Sequence, residues 1–195
     1  MMKAALLPDR GVVKVAGDDA AKLLNGIVTV DAATVAPGRA RYAALLTPQG
    51  KIVTDFFIAG AAPQDGGGLF LDCPRALAST LVQRLNLYKL RAKVMVEDLS
   101  EALCVLAIWG GSAETEFGLC YGDPRLPELG ARCMLPPHLA ERGESPALPH
   151  VALPGERGRV GVRERPYHLR RLAGGAFRAG GPGPVRARPA PAVRR

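Results

Sequence analysis

The pattern of apolar and polar positions predicts a β-hairpin over residues 42–58. Two apolar runs flank a Pro-Gln-Gly turn at residues 48–50, where proline presets one φ angle and glycine accepts a positive one. On the second arm, side chains of residues 51–58 alternate between the two faces of the strand. Asp55 therefore projects from an otherwise apolar strand, and it is the first residue with a candidate chemical role.

The rest of the pattern predicts two helices and several more strands. The first helix follows a Gly-Asp-Asp sequence that offers an N-cap, and its apolar residues recur at helical spacing from Ala20 to Ile27. The second helix starts at Pro74 and carries a leucine stripe to about Tyr88. Strands are predicted at residues 12–15, 56–59, 69–72, 93–97, 103–109 and 131–135. This order favours an α+β fold with antiparallel sheets and packed helices over a doubly wound fold.

The periodic signal weakens after residue 110, so the sequence predicts three regions. Residues 1–110 form an N-terminal α+β region, and 111–175 form a second, loop-rich part of the same assembly with a basic, partly amphipathic segment at 160–172. Residues 176–195 are predicted to be a disordered basic tail, because 17 of these 20 residues are Ala, Gly, Pro or Arg. We expect the reading frame to depart from the original near Ala176, which leaves the fold incomplete; a genuine tail that binds an acidic partner is the alternative.

The charge is unevenly distributed along the 195 residues, whose net charge is +8. Residues 1–155 carry 15 basic and 16 acidic side chains, whereas residues 156–195 carry 11 arginines and two glutamates. A nucleic-acid-binding function would thus rest on the C-terminal end alone, and we predict no specific nucleic-acid partner. The N-terminal sequence has only four apolar residues between its lysine and Pro8, too few for a signal peptide or a membrane span. We therefore expect the protein in the cytoplasm, and we also expect a monomer.

Cysteine and histidine spacing gives no indication of a metal centre. The four cysteines contain no Cys-x-x-Cys pair, and the three histidines lie outside the spacings of zinc sites. We expect all four cysteines to be small apolar residues with free thiols, a reactive thiol being the alternative. No glycine-rich phosphate-binding motif opens a helix, since the Gly-Gly-Gly sequence at 66–68 precedes a strand.

Several segments together carry a resemblance to a known family. They are residues 15–17, Leu-Leu-Asn-Gly at 23–26, Thr-Val-Asp at 29–31, the run 41–52 followed by Asp55, and Leu-Tyr-Lys-Leu-Arg-Ala-Lys-Val at 87–94. In order and spacing they resemble the folate-binding YgfZ family, which is related to the glycine-cleavage T-protein, an aminomethyltransferase that uses tetrahydrofolate. The resemblance covers residues 5–110 well and residues 150–175 loosely.

The resemblance implies a tetrahydrofolate-binding accessory protein for the assembly or repair of iron–sulfur proteins, with iron–sulfur enzymes or their assembly factors as partners. The alternative is an aminomethyltransferase like the T-protein, which has two adjacent acids where this chain has Thr54 and Asp55. The hallmark Lys-Gly-Cys-Tyr-x-Gly-Gln-Glu of the family does not occur in this sequence, so no cysteine is assigned an active thiol. The resemblance leaves open whether the protein has catalysis of its own.

Five residues are candidates for folate contacts under this resemblance. A carboxylate can accept hydrogen bonds from the N–H groups of a pterin, and Asp55 occupies the acidic position after the Gly-Lys-Ile turn; a structural hydrogen-bonding role is the alternative. For Asp31 and Thr29 the alternative is a local tie between a side chain and the loop backbone. Lys51 and Arg91 are candidates for contacts to the glutamate tail or cofactor, and otherwise are solvated charges.

Overall fold

The computed structural model describes residues 3–63, 66–110, 114–115, 118–140 and 151–152. Its main sheet has five antiparallel strands. In spatial order they are β3 (Ala40–Leu46), β4 (Ile52–Gly60), β5 (Leu69–Pro74), β2 (Arg10–Ala16) and β6 (Met95–Asp98). Strands β3 and β4 form the predicted hairpin. The predicted basic segment at 160–172 and the tail at 176–195 lie outside the described residues.

A second antiparallel sheet has four strands. They are β1 (Lys3–Leu6), β7 (Cys104–Trp109), β10 (Ala131–Leu135) and β9 (Leu119–Gly122), and a two-residue pair joins β8 (Glu114–Thr115) to β11 (Val151–Ala152). Strands β1 and β9 were not predicted, because each has only four residues, and the partner of β1 is about 100 positions away in the sequence. Since β1 and β7 share this sheet with β9 and β10, residues on both sides of position 110 build it. The predicted division of the chain stays a prediction.

Two of the helices, α1 (Ala20–Asn25) and α2 (Ala78–Tyr88), cover one face of the main sheet. Both match predicted helices, although one turn of 3-10 helix, Arg75–Leu77, separates Pro74 from α2. A short helix α3 (Pro137–Ala140) packs near the second sheet. Asp19 occupies the N-cap position of α1, within the predicted Gly-Asp-Asp sequence, but its side chain makes no capping hydrogen bond. The Asp19 carboxylate instead accepts a hydrogen bond from the backbone N–H of Lys93 at 2.8 Å. None of the helices within the described ranges is long and apolar enough to cross a bilayer.

Alternation along the strands creates two cores on opposite faces of the main sheet. Even-numbered β4 residues such as Phe56 and Ile58 pack with α1 and α2, whereas Phe57 and Ala59 pack against the second sheet. Asp55 shares the odd-numbered set, so it lies on the face between the sheets, beyond the edge of the apolar core. The layered arrangement of helices and two antiparallel sheets confirms the predicted α+β class.

Two of the four cysteines form a disulfide, and the other two do not. Cys120 and Cys133 are directly opposite on β9 and β10, with 4.1 Å between their Cα atoms, and form a disulfide. The prediction of free thiols is wrong for this pair, because facing strands bring together side chains that no local sequence spacing connects. Cys73 is a buried thiol, as predicted, and its burial raises its pKa to about 12. Cys104 donates a hydrogen bond to the Leu135 carbonyl oxygen at 3.3 Å.

Candidate functional site

Asp55 and Tyr42 form a hydrogen-bonded pair at the open end of the face between the sheets. Tyr42 on β3 is 46% exposed, and its hydroxyl donates to the Asp55 Oδ2 atom. This hydrogen bond, together with burial and the Asp55 charge, raises the pKa of Tyr42, while the charges of Arg125 and Arg10 act in the opposite direction. The phenol therefore remains a neutral donor at pH 7. The Asp55 Oδ1 atom accepts no hydrogen bond from any of the described residues.

Beside this pair, Phe57 is surrounded by aromatic rings and guanidinium groups. Its ring centroid lies 5.2 Å from that of Tyr42 and 6.3 Å from that of Tyr121. The guanidinium carbons of three arginines lie within 6 Å of the same centroid: Arg132 at 4.4 Å, Arg125 at 4.9 Å and Arg10 at 5.8 Å. Attraction between a cation and the ring quadrupole favours this arrangement, which places three guanidinium groups around the ring next to Tyr42.

Asp72 on β5 accepts hydrogen bonds from two of these arginines, Arg10 and Arg132. Its carboxylate is fully buried and accepts from Arg10 Nε at 2.5 Å, from Arg132 Nη1 at 2.9 Å and from the Tyr121 hydroxyl at 2.7 Å. Burial, then the charge and hydrogen bond of Asp72, raise the pKa of Tyr121 well above its ordinary value, so the hydroxyl remains a donor. Because Arg10 and Asp72 belong to the main sheet and Arg132 and Tyr121 to the second, this network joins the two sheets.

The third arginine, Arg125, lies in the loop between β9 and β10. Its Nε and Nη2 atoms donate to the Asp123 carboxylate at 2.9 and 2.7 Å, and Arg132 Nε donates to the same carboxylate at 3.3 Å. Gly130 closes the loop with a φ of +76°, at a position where a Cβ would lie 2.2 Å from the Ile108 carbonyl oxygen. The loop therefore packs closely against β7. The Arg125 guanidinium lies over the Phe57 ring.

The pKa of Asp123 predicts how this loop responds to acid. Burial alone would raise that pKa, but hydrogen bonds from the Arg125 side chain and backbone, the Arg125 charge and Arg132 outweigh burial and lower it. A lowered carboxyl pKa contributes stability that is present above the unfolded pKa, about 4, and is lost as the pH falls through the folded value. We expect the difference in unfolding free energy between the parent and Asp123→Asn to shrink as denaturant titrations move from pH 6 toward pH 3. A difference that stays constant over this range would contradict the assignment.

Thr29 and Asp31 both make structural hydrogen bonds, and only those of Asp31 are local in the sequence. Thr29 Oγ1 accepts from the backbone N–H of Ala44 at 2.9 Å, and Ala44 lies directly across from Asp55 on the neighbouring strand. Thr29 therefore lies on the outer side of β3, and that strand separates it from Asp55. Asp31 Oδ1 accepts from Asn25 Nδ2 at 2.8 Å and from a backbone N–H at 2.9 Å, which ties the end of α1 to the following turn.

Lys51 and Arg91 are not brought together with Asp55. Lys51 is exposed at the hairpin turn, one residue before β4 begins and four residues before Asp55 in the sequence. Arg91 is exposed in the connection from α2 to β6, and β6 is three strand positions from β4, or roughly 14 Å at the usual spacing of strands. Their predicted contacts to a folate tail stay predictions.

Sequence reasoning missed the arginines, carboxylates and aromatic residues that surround the Tyr42–Asp55 pair. They are Arg10, Phe57, Asp72, Tyr121, Asp123, Arg125 and Arg132. One signal was present, because Asp72 is a lone carboxylate in an apolar strand, as Asp55 is. The three arginines had no such signal. Over the residues that the structure describes, no group of three or more His, Cys, Asp and Glu side chains could hold a metal ion.

Comparison with known proteins connects this architecture to a family. Residues 9–119 match the family model described as the GCVT N-terminal domain. The crystal structure of glycine cleavage system aminomethyltransferase T from Bartonella henselae superposes with a TM-score of 0.60, covering 75% of this chain and 46% of that chain at 18% sequence identity. At this identity the superposition shows that the fold is shared.

The chain is also similar to curated iron-sulfur cluster assembly factors. The mitochondrial IBA57 homolog of Mycosarcoma maydis is 35% identical over 145 residues, which cover 68% of this chain and 36% of that protein. Human mitochondrial IBA57 is 32% identical over 175 residues, which cover 80% of this chain and 46% of that protein. The chain thus spans less than half the length of these relatives.

These relatives also correct one prediction. They are named as mitochondrial proteins, which contradicts the expected cytoplasmic location. The cytoplasm had been expected only because no targeting segment was recognised in the sequence.

The family model covers more than half of the chain and agrees with the fold. The chain therefore belongs to the GCVT N-terminal domain family.

Proposed function

We propose that this protein binds a reduced folate against Tyr42 and Asp55 and serves the assembly or repair of iron–sulfur proteins. The observation that carries the folate part is the state of the Asp55 carboxylate. One of its oxygens is bound by the Tyr42 hydroxyl, and the other accepts no hydrogen bond within the described part of the chain. A carboxylate held in this way on a sheet face is an acceptor for N–H groups of a ligand.

The surrounding residues fit a folate in chemical type. Asp55 accepts from an N–H group, and the half-exposed ring of Tyr42 offers a face to a flat ligand. Tetrahydrofolate, when bound, supplies one-carbon chemistry. The chain's own residues bind and orient the ligand, and Tyr42 keeps the Asp55 carboxylate turned toward it.

Asp55→Asn should weaken folate binding without unfolding the protein. Loss of a charge-assisted hydrogen bond is expected to cost about 1–3 kcal/mol, or roughly 5- to 150-fold in Kd. Isothermal titration calorimetry with 5-formyltetrahydrofolate measures this change. The matched control is Asp18→Asn, which replaces an exposed aspartate that makes no hydrogen bond to the described residues and should leave the Kd unchanged. Equal affinities for the parent and Asp55→Asn would contradict the proposal.

The iron–sulfur part of the proposal is supported by the similarity to IBA57 proteins, which are named as iron-sulfur cluster assembly factors. The test is complementation in fungal cells depleted of their own IBA57, with the activity of an iron–sulfur enzyme as the readout. Two proteins are tested: this chain alone, and a chimera in which this chain replaces the matching part of the fungal IBA57. We expect at least the chimera to restore that activity. No recovery, with normal protein levels, would contradict this part alone.

No specific observation favours the alternative of aminomethyl transfer. Thr54, which stands where the T-protein has a second acid, is 5% exposed and alternates onto the face that the helices cover. Its hydroxyl cannot act beside Asp55 from that side of the sheet.

A further inference from the structure

We infer that Arg125 determines ligand specificity at this site by binding a carboxylate of the ligand, so that folates with a glutamyl tail are preferred to pterins without one. The inference rests on the proposed function. It assigns a role to the loop between β9 and β10, which none of the sequence motifs identified.

The first support is the hydrogen bonding of the guanidinium group. A guanidinium has five N–H donors, and two neighbouring nitrogens can bind one carboxylate through two parallel bonds. Asp123 occupies the edge formed by Nε and Nη2 of Arg125. The Nη1 atom has no acceptor among the described residues, so the edge formed by Nη1 and Nη2 can take a second carboxylate.

The second support is the difference between Arg125 and its two neighbours. The side chains of Arg10 and Arg132 are only 15% and 12% exposed, and both donate to the buried Asp72 carboxylate. The Arg125 side chain is 42% exposed. Of the three cations that surround Phe57, Arg125 is therefore the one that a ligand from solvent can reach.

The third support is that the position of Arg125 is fixed before a ligand arrives. Asp123, whose side chain is 3% exposed, accepts from the Arg125 side chain, from the Arg125 backbone N–H at 3.1 Å and from Arg132. The Phe57 ring lies 4.9 Å beneath the guanidinium carbon. An arginine held on both sides loses little conformational entropy on binding, which favours its use in recognition.

The fourth support is the distance from Asp55. Phe57, below Arg125, is two residues from Asp55 along β4, a separation of about 7 Å at the usual rise of a strand. Tyr42 bridges the two positions, because its hydroxyl bonds to Asp55 and its ring lies 5.2 Å from that of Phe57. Asp55 and Arg125 therefore lie on either side of Tyr42, with Arg125 over the Phe57 ring that Tyr42 contacts. A ligand that lies along Tyr42 can reach both residues.

The test compares two probes on four proteins. The probes are 5-formyltetrahydrofolate, which carries glutamyl carboxylates, and tetrahydropterin without a tail, both titrated under anaerobic conditions. The proteins are the parent, Arg125→Gln, Arg125→Lys and the control Arg41→Gln, whose arginine is exposed on the opposite face of β3. We expect Arg125→Gln to lose at least about tenfold in affinity for 5-formyltetrahydrofolate and to leave tetrahydropterin binding unchanged. Arg125→Lys should recover part of the loss, and Arg41→Gln should match the parent.

The outcomes separate this inference from the proposal beneath it. If the parent binds neither probe, the proposed folate function is wrong and the role of Arg125 is overturned with it. If the parent binds 5-formyltetrahydrofolate and Arg125→Gln binds it equally well, only the inference on Arg125 is overturned. An equal loss for both probes would also overturn it, because Arg125 would then support the site without recognising the tail.

Discussion

Asp72→Ala should destabilise the protein strongly, lowering the free energy of unfolding by about 3–5 kcal/mol. The substitution removes the acceptor of Arg10, Arg132 and Tyr121, all of which are mostly or fully buried. Two charges and a hydroxyl would then lie in the interface between the sheets without their partner. Denaturant unfolding monitored by circular dichroism measures the loss.

The control for Asp72→Ala is an exposed ion pair in the same protein. Glu101 pairs with Arg75, and its side chain is 93% exposed, so Glu101→Ala should change the free energy of unfolding by no more than about 1 kcal/mol. If the two variants had the same unfolding midpoint, the Asp72 network would not be what joins the sheets. The Asp72→Ala variant should also bind folate less well, since Arg10 and Arg132 lose their anchor beside Phe57.

Leu81→Ala should produce the second large effect, a loss of about 2–5 kcal/mol in the free energy of unfolding. Leu81 lies in the middle of α2, is fully buried and packs in the core between the helices and the main sheet. Truncation leaves a cavity in addition to the lost burial of apolar surface. Leu87, on the same helix, is 68% exposed, so Leu87→Ala serves as the matched control and should shift the midpoint little. Similar midpoints for both variants would show that the leucine stripe is not core.

The sequence predicted the elements whose signals are local. The hairpin of β3 and β4 follows from a turn motif between two alternating arms, α2 follows from its leucine stripe, and β10 is a continuous short run with the predicted bounds. The missed strands β1 and β9 have only four residues each and thus carry little signal of their own, and β1 also depends on a partner about 100 positions away. The disulfide between Cys120 and Cys133 was missed because it depends on the register of β9 against β10, and β9 was not predicted.

In the candidate site, too, the residue with a local signal in the sequence was predicted, and the residues joined by long-range contacts were not. Asp55 was predicted because a carboxylate in an apolar strand is visible in the sequence, and its placement between the sheets follows from the alternation of β4. The network around Asp72 joins Arg10, 62 positions away, to Arg132, 60 positions away in the other direction. The sequence around Asp72 does not indicate that Arg10 or Arg132 is its partner. Such contacts become visible only when the packing of the two sheets is known.

A crystal structure of the protein with bound 5-formyltetrahydrofolate tests the central claim most directly. We predict density for the ligand on the face between the sheets, with one of its N–H groups donating to Asp55 Oδ1 and its ring lying along Tyr42. Density at another surface, or a carboxylate Oδ1 that faces only solvent while folate is bound elsewhere, would contradict the assignment of the site.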